Sequence, residues 1–108
     1  KIKSDTNIFN KGNVEALPLI RLVPKAGQED FDVYNNGEVW FSVRDITTET
    51  IIDSETMQVT NEQGSANDNL AIRRPLFPKL QIGDNLIAFD ENQVDGIYIT
   101  PRLGRTAL

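Results

Sequence analysis

The sequence predicts an all-β protein, an antiparallel β-sandwich with jelly-roll or galectin-like topology. Short β-branched and aromatic runs recur with turn residues between them, at the roughly 8–12-residue spacing that is typical of sandwiches. The hydrophobic periodicity is that of strands, as in Phe31–Tyr34, and neither an internal repeat nor a heptad pattern is present. The best candidate for a helix, Ser65–Arg74, is too short and too polar.

The first half of the chain predicts three strands. Glu15–Val23 carries apolar residues on both faces, as expected for a strand covered on both sides, and Pro18 indicates an edge or early position. Phe31–Tyr34 and Glu38–Arg44 flank the Asn36-Gly37 pair. Because Asn-Gly between two alternating runs favours a turn with positive φ, these two strands are predicted to form a hairpin.

The stretch from Thr50 to Phe89 is the part around which the rest of the chain is organised. Two β-branched runs, Thr50–Asp53 and Thr56–Thr60, are separated by acidic turn residues and predict two more strands. A polar loop over Asn61–Asn69 follows. These runs predict scaffold rather than chemistry.

The chain returns from this loop at Phe77-Pro78, which we expect on an edge or in a turn, because proline cannot donate to a strand ladder. Gly83-Asp84-Asn85 predicts a tight polar turn that leads into Leu86–Phe89, a short apolar run suited to a buried strand. Asp95–Thr100 predicts the last strand, with Ile97 and Ile99 on the same face.

The length of 108 residues predicts one domain that is large enough for a core without disulfides. We divide it into a linker or entry segment at 1–13 that tucks Phe9 against the domain, a β-sandwich at 14–102 and a tail at 103–108. The chain begins at Lys1 rather than Met, which indicates a piece of a longer protein.

Composition excludes several classes of function. Without cysteine there are no disulfides or thiolate metal sites, and without histidine the commonest general base and metal ligand are missing. The net charge of −5 disfavours nucleic acid and anionic membranes as partners, and no apolar run is long enough for a transmembrane helix. Carboxylates remain the main catalytic groups, and we expect no enzyme activity, no cofactor and no metal.

Five motifs in order resemble one family. They are Phe9-Asn10-Lys11-Gly12-Asn13 with Leu17-Pro18-Leu19-Ile20, then Ile51-Ile52-Asp53-Ser54-Glu55, Phe77-Pro78-Lys79-Leu80, Gly83-Asp84-Asn85-Leu86-Ile87 and Ile97-Tyr98-Ile99-Thr100-Pro101-Arg102. Together they resemble the C-terminal domain of the distal tail protein of siphophages, mostly those infecting Gram-positive bacteria. The span between Val59 and Phe77 departs from the family pattern because it is longer or more irregular.

The resemblance implies a structural virion protein at the tail tip or baseplate hub, made in the host cytoplasm. In that family an N-terminal domain, which this chain lacks, forms a homo-hexameric ring, and the C-terminal β-sandwich packs against other tail or baseplate proteins. Some relatives carry sugar-binding insertions. The implied partners are therefore phage tail proteins, with host cell-wall polysaccharide as the alternative.

Candidate contact residues follow from both hypotheses. Strand alternation places Val39, Phe41 and Val43 inward and Trp40 outward, where an indole could stack on a sugar or anchor a protein. The alternative is that Trp40 is covered, as tryptophan usually is. Polar and basic side chains in the loop after Val59 complete the set of candidate contacts: Asn61, Asn67, Arg73 and Arg74.

Three further groups have simpler interpretations. Asp53 and Glu55 resemble a hydrolase carboxylate pair, but turn formation explains them equally well. The acidic loop from Asp90 to Asp95 misses the regular calcium-loop spacing and is better explained as a solvated hairpin loop. Two short basic pairs, Arg73-Arg74 and Arg102 with Arg105, are expected to pair with surface carboxylates of the same chain or with a partner in the assembled tail.

Overall fold

Ten strands and no helix are present in the part of the chain that the computed structural model describes, which is residues 2–25, 30–44, 46, 48–61, 64–65, 70–71 and 77–102. The strands are β1 (Thr6–Asn10), β2 (Leu19–Pro24), β3 (Phe31–Asn35), β4 (Glu38–Val43), β5 (Thr50–Asp53), β6 (Gln58–Asn61), β7 (Gly64–Ser65), β8 (Leu70–Ala71), β9 (Gly83–Phe89) and β10 (Val94–Thr100).

The strands form two antiparallel sheets whose inner faces share one core. One sheet has the order β1-β9-β3-β4-β8 and the other β10-β2-β5-β6-β7. Both sheets contribute to a single cluster of buried apolar side chains: Val33, Phe41, Val43, Ile87 and Phe89 from the first, and Ile20, Leu22, Ile52, Val59 and Ile97 from the second. The all-β antiparallel sandwich is therefore confirmed, while the jelly-roll or galectin-like strand order stays a prediction.

The β3–β4 hairpin forms as its turn sequence predicts. Asn36 has φ +53° and Gly37 has φ +85°, which are the two left-handed residues of a type I′ turn. The Asn36 side chain also donates to Asp84 O at 3.0 Å and accepts from Leu86 N at 2.9 Å. The turn thus fixes the register between β3 and β9 as well as its own hairpin.

A β-bulge in this hairpin reverses part of the predicted alternation. Val33 pairs with Phe41, whereas the next residue, Tyr34, pairs with Val39, so Trp40 is the extra residue. Val39 is therefore 50% exposed, and the prediction that it points inward is wrong. Phe41 and Val43 beyond the bulge are buried as predicted.

The entry segment contains a strand, which the sequence does not predict. β1 pairs with β9 from Thr6↔Ile87 to Asn10↔Gly83, within the segment 1–13 that the asparagine-rich composition predicts as a linker. Phe9, expected to tuck against the domain, is 57% exposed, while the neighbouring Asn10 is completely buried. Two of the three inward residues of β1, Thr6 and Asn10, are polar, which hides its inward face from a search for apolar alternation.

Two predicted strand boundaries also move. β2 begins at Leu19, so the predicted strand over Glu15–Val23 is confirmed from Leu19 to Val23, while its start at Glu15 is wrong. β2 lies between β10 and β5, so an edge position is wrong. β9 begins at Gly83, so Asp84 and Asn85 belong to the strand and not to a turn. Gly83, Asp84 and Asn85 have poor strand propensity, but they join β9 because neighbouring elements supply their hydrogen bonds.

Buried amide side chains connect β1, β3 and β9. The Asn85 NH2 group lies within hydrogen-bond distance of the carbonyls of Ile8, Gln81 and Gly83, at 3.1, 2.9 and 3.1 Å. Its Oδ1 accepts from Gln81 N and from Asn35 Nδ2, both at 3.0 Å. Since Asn85 is completely buried, these bonds replace its lost hydration and satisfy the loop before β9.

Candidate functional site

An open cleft of about 520 Å³ lies beside the outer face of the sheet that contains β3 and β4. Asp32 and Tyr34 come from β3, because alternate residues of a strand share a face. Arg44 follows β4, Asp30 precedes β3, and the turn between β9 and β10 contributes two further side chains. Among the described residues, the lining is Asp30, Asp32, Tyr34, Arg44, Asp90 and Gln93.

Hydrogen bonds hold the carboxylates of the cleft in place. Asp32 Oδ1 accepts a bond from Ser42 Oγ and lies 3.7 Å from Arg44 Nη1. Asp90 Oδ1 accepts from Asn92 N at 2.9 Å, which caps the turn after β9. The Arg44–Asp32 pair is exposed by 47% and 40% on its two side chains, so it orients the two groups more than it stabilises the fold.

The side chains of the cleft are suited to recognising the surface of another molecule. It presents a half-exposed aromatic ring, one guanidinium and three carboxylates, which donate to and accept from polar groups or stack on an apolar surface. Among the described residues, no group of three or more acidic side chains is placed to hold a metal ion. The arrangement suits binding of a neutral or cationic surface.

Trp40 lies outside the lining of this cleft and is half-buried. Its Nε1 donates to Lys79 O at 2.8 Å, and its ring packs against the core at 5.4 Å from the Phe41 ring centroid. The indole thus joins the bulge in β4 to the segment before β9, as the covered alternative expects.

Of the other predicted contact residues, Asn61 is the one that the structure describes. Asn61 ends β6 opposite Gly64, in the other sheet. Asn67, Arg73 and Arg74 lie outside the described residues. Tyr34 is 37% exposed, and Tyr98 packs under the guanidinium of Arg21 at 4.1 Å.

Asp53 and Glu55 form a structural ion-pair site with Arg102. Arg102 Nη2 lies 2.7 Å from Asp53 Oδ1, Nη1 lies 3.4 Å from Glu55 Oε2, and Nε donates to Leu17 O at 2.9 Å. The guanidinium hydrogen bond lowers the pKa of Asp53, assisted by bonds from Thr56 N and Glu55 N, while burial opposes the shift. Asp53 is therefore an ionised carboxylate that accepts hydrogen bonds from a turn and from Arg102, and this structural role accounts for its lowered pKa.

Sequence reasoning overlooked the cleft although part of its signal was present. Alternation places Asp32 and Tyr34 on one face of β3, and hairpin pairing brings Arg44 near them. The contribution of Asp90 and Gln93 required the packing of the β9–β10 turn beside β3, which no local pattern encodes. The available signal was the polar outer face of β3, which is defined by the same alternation as its apolar inner face.

Comparison of the chain with protein-family models, with curated proteins and with solved structures finds no match. In the described ranges, no helix has the length and apolar character needed to cross a membrane.

Proposed function

We propose that this chain is the outer C-terminal domain of a siphophage distal tail protein, a virion component of the tail tip that docks other tail proteins. The observation that carries this proposal is the position of the five family-like motifs in the fold. These motifs contact one another in the folded domain and hold the β-sandwich together.

The contacts between motifs are specific. Asn10 of the first motif donates to Leu80 O at 3.2 Å. Ser54 of the second donates to Pro78 O at 2.6 Å, and Asp53 binds Arg102 of the last. Residues that hold a fold together are the ones that a family of domains with variable surfaces would share, which supports the resemblance at the level of the scaffold.

The remaining parts of the proposal come from the resemblance. They are a homo-hexameric ring formed by an N-terminal domain of the full-length protein, a galectin-like strand order, location at the tail tip and the absence of catalysis. The sandwich supports a docking function because its rigid sheets present side chains in fixed positions.

The experiment is immunogold electron microscopy of purified virions with an antibody raised against this domain. Label at the distal end of the tail is expected, with an antibody against a capsid protein as the control for labelling elsewhere. Label confined to capsids, or none on virions that contain the polypeptide, would refute the proposal.

A carbohydrate-binding module is the second candidate, and the cleft is the observation that favours it. Tyr34 offers a ring face to a sugar, and Asp32 and Arg44 offer planar polar groups to its hydroxyls. The measurement is binding of the labelled domain to Gram-positive cells and to their purified wall polysaccharide. If the candidate is correct, Tyr34→Ala abolishes saturable binding at unchanged thermal stability, whereas Trp40→Ala acts through stability. Wild-type domain that does not bind rules it out.

A further inference from the structure

Four large apolar side chains are exposed on the sheet that borders the cleft. Phe9, Leu86, Tyr34 and Val39 are 57%, 42%, 37% and 50% exposed. They come from four neighbouring strands, β1, β9, β3 and β4. Single exposed apolar residues are ordinary, but a contiguous set calls for an explanation.

The strand registers place these four side chains in one row. Phe9 is opposite Asp84, which makes Leu86, two residues along β9, its diagonal neighbour on the same face. Tyr34 is opposite Ala88 on one side and Val39 on the other. Leu86 and Tyr34 are thus also diagonal neighbours, and we call the four side chains the apolar row.

Carboxylates border the apolar row at two places. Asp84 lies beside Phe9, where it accepts a bond from Asn7 Nδ2 at 3.1 Å. Two strands away, Tyr34 lines the cleft together with three aspartates and one arginine, which carry a formal net charge of −2. The face is therefore apolar along the row and acidic beside Phe9 and beside Tyr34.

We propose that this face is the docking surface for another protein of the same tail, whose contact surface is apolar at its centre and carries lysines opposite the acidic groups beside Phe9 and Tyr34. This inference rests on the proposed function and adds to it the location of the interface and the chemistry of the partner. Apolar patches rimmed by polar groups are typical of protein interfaces, and opposite charges at the rim determine the choice of partner.

The same features disfavour other occupants. A second copy of this face would bring the aspartates together, and juxtaposed like charges disfavour association. A glycan would use Tyr34 and the polar groups of the cleft but would leave Leu86, Val39 and Phe9 uncovered. A protein surface covers the whole row.

Carbodiimide cross-linking of intact virions followed by mass spectrometry tests the inference directly, since this reagent joins carboxylates to lysine amines only in close contact. We expect Asp84 and at least one of Asp32 and Asp90 to be linked to lysines of a different tail polypeptide. Glu15 and Asp95, which are exposed elsewhere, serve as controls and should give no such links. Links from the controls alone, or links only between copies of this chain, would overturn the inference.

A matched pair of variants provides the second measurement. Leu86→Lys places a charge in the middle of the row and is expected to reduce incorporation of the protein into virions about tenfold or more, as loss of a central interface residue does. Met57→Lys makes the same change at a residue that is 62% exposed on the β5–β6 turn, and should be incorporated normally.

Equal incorporation of both variants, with unchanged thermal stability, contradicts the docking surface. The docking surface is also contradicted if added wall polysaccharide abolishes the cross-links on wild-type virions, because this face then binds sugar. If immunogold label is absent from the tail tip, the proposed function itself fails. Label at the tip without cross-links from this face refutes only the inference.

Discussion

Asn85→Ala is expected to lower the free energy of unfolding by at least about 3 kcal/mol, since each buried partner left without a hydrogen bond costs about 1–3 kcal/mol. The truncation leaves Gln81 N and the Asn35 amide without their acceptor, and Ile8 O without its donor. Alanine also leaves a small cavity at a completely buried site. Chemical denaturation followed by Trp40 fluorescence measures the change.

Asn92→Ala is the matched control for this prediction. Asn92 lies exposed in the turn after β9, so the same substitution is expected to change stability by less than about 0.5 kcal/mol. Asn85→Asp gives a second test, because it keeps the shape but removes the donors and buries a charge. We expect it to be at least as destabilising as Asn85→Ala, and comparable stability of all three variants would show that the amide network is dispensable.

Arg102→Ala is expected to cost about 2–3 kcal/mol, as removal of hydrogen bonds to charged groups does. The guanidinium joins the end of β10 to Leu17 O before β2 and to the turn after β5, so its loss releases three parts of the second sheet at once. The control is Glu49→Gln, which breaks the half-exposed ion pair with Arg21 and should cost less than about 1 kcal/mol.

The dependence of the free energy of unfolding on pH in acid distinguishes a lost ion pair from lost packing as the cause of the Arg102→Ala destabilisation. The pKa of Asp53 is lowered in the folded state, chiefly by the Arg102 hydrogen bond. Its contribution is therefore fully present above the unfolded pKa of about 3.9 and is lost as the pH falls through the folded pKa. Wild type should lose stability across this window, and Arg102→Ala should lose less. Parallel profiles for the two proteins would show that the cost of the variant is packing alone.

The sequence predicts the parts of this fold whose signals are local. Asn36-Gly37 specifies its hairpin because only a few residues adopt two successive positive φ angles. The apolar alternation around Ile97 likewise identifies β10. β1 lacks a local signal because its inward face ends in Asn10, whose burial depends on the carbonyls of nearby Val14 and of Leu80, far along the chain.

The candidate site was harder to predict for a related reason. The bulge at Trp40 shifts Val39 to the outer face, and a one-residue slip of this kind cannot be read from alternation alone. The apolar row also depends on which strands are neighbours, and β9 separates β1 from β3 although it lies far from both in the chain. Sequence reasoning therefore identified strands but not the surface that they form together.

The pairing of β1 with β9 and of β2 with β10 has a consequence for how the chain is made. As the chain emerges from the ribosome, the β3–β4 and β5–β6 hairpins can close at once and β2 can pair with β5. β1, however, must wait for β9, and the other edge of β2 must wait for β10. Loop-closure entropy then makes folding slow, on the order of milliseconds to seconds, as in other sandwiches. Until β9 is synthesised, Phe9 and its neighbours in β1 can form wrong pairings, which exposes the nascent chain to misfolding.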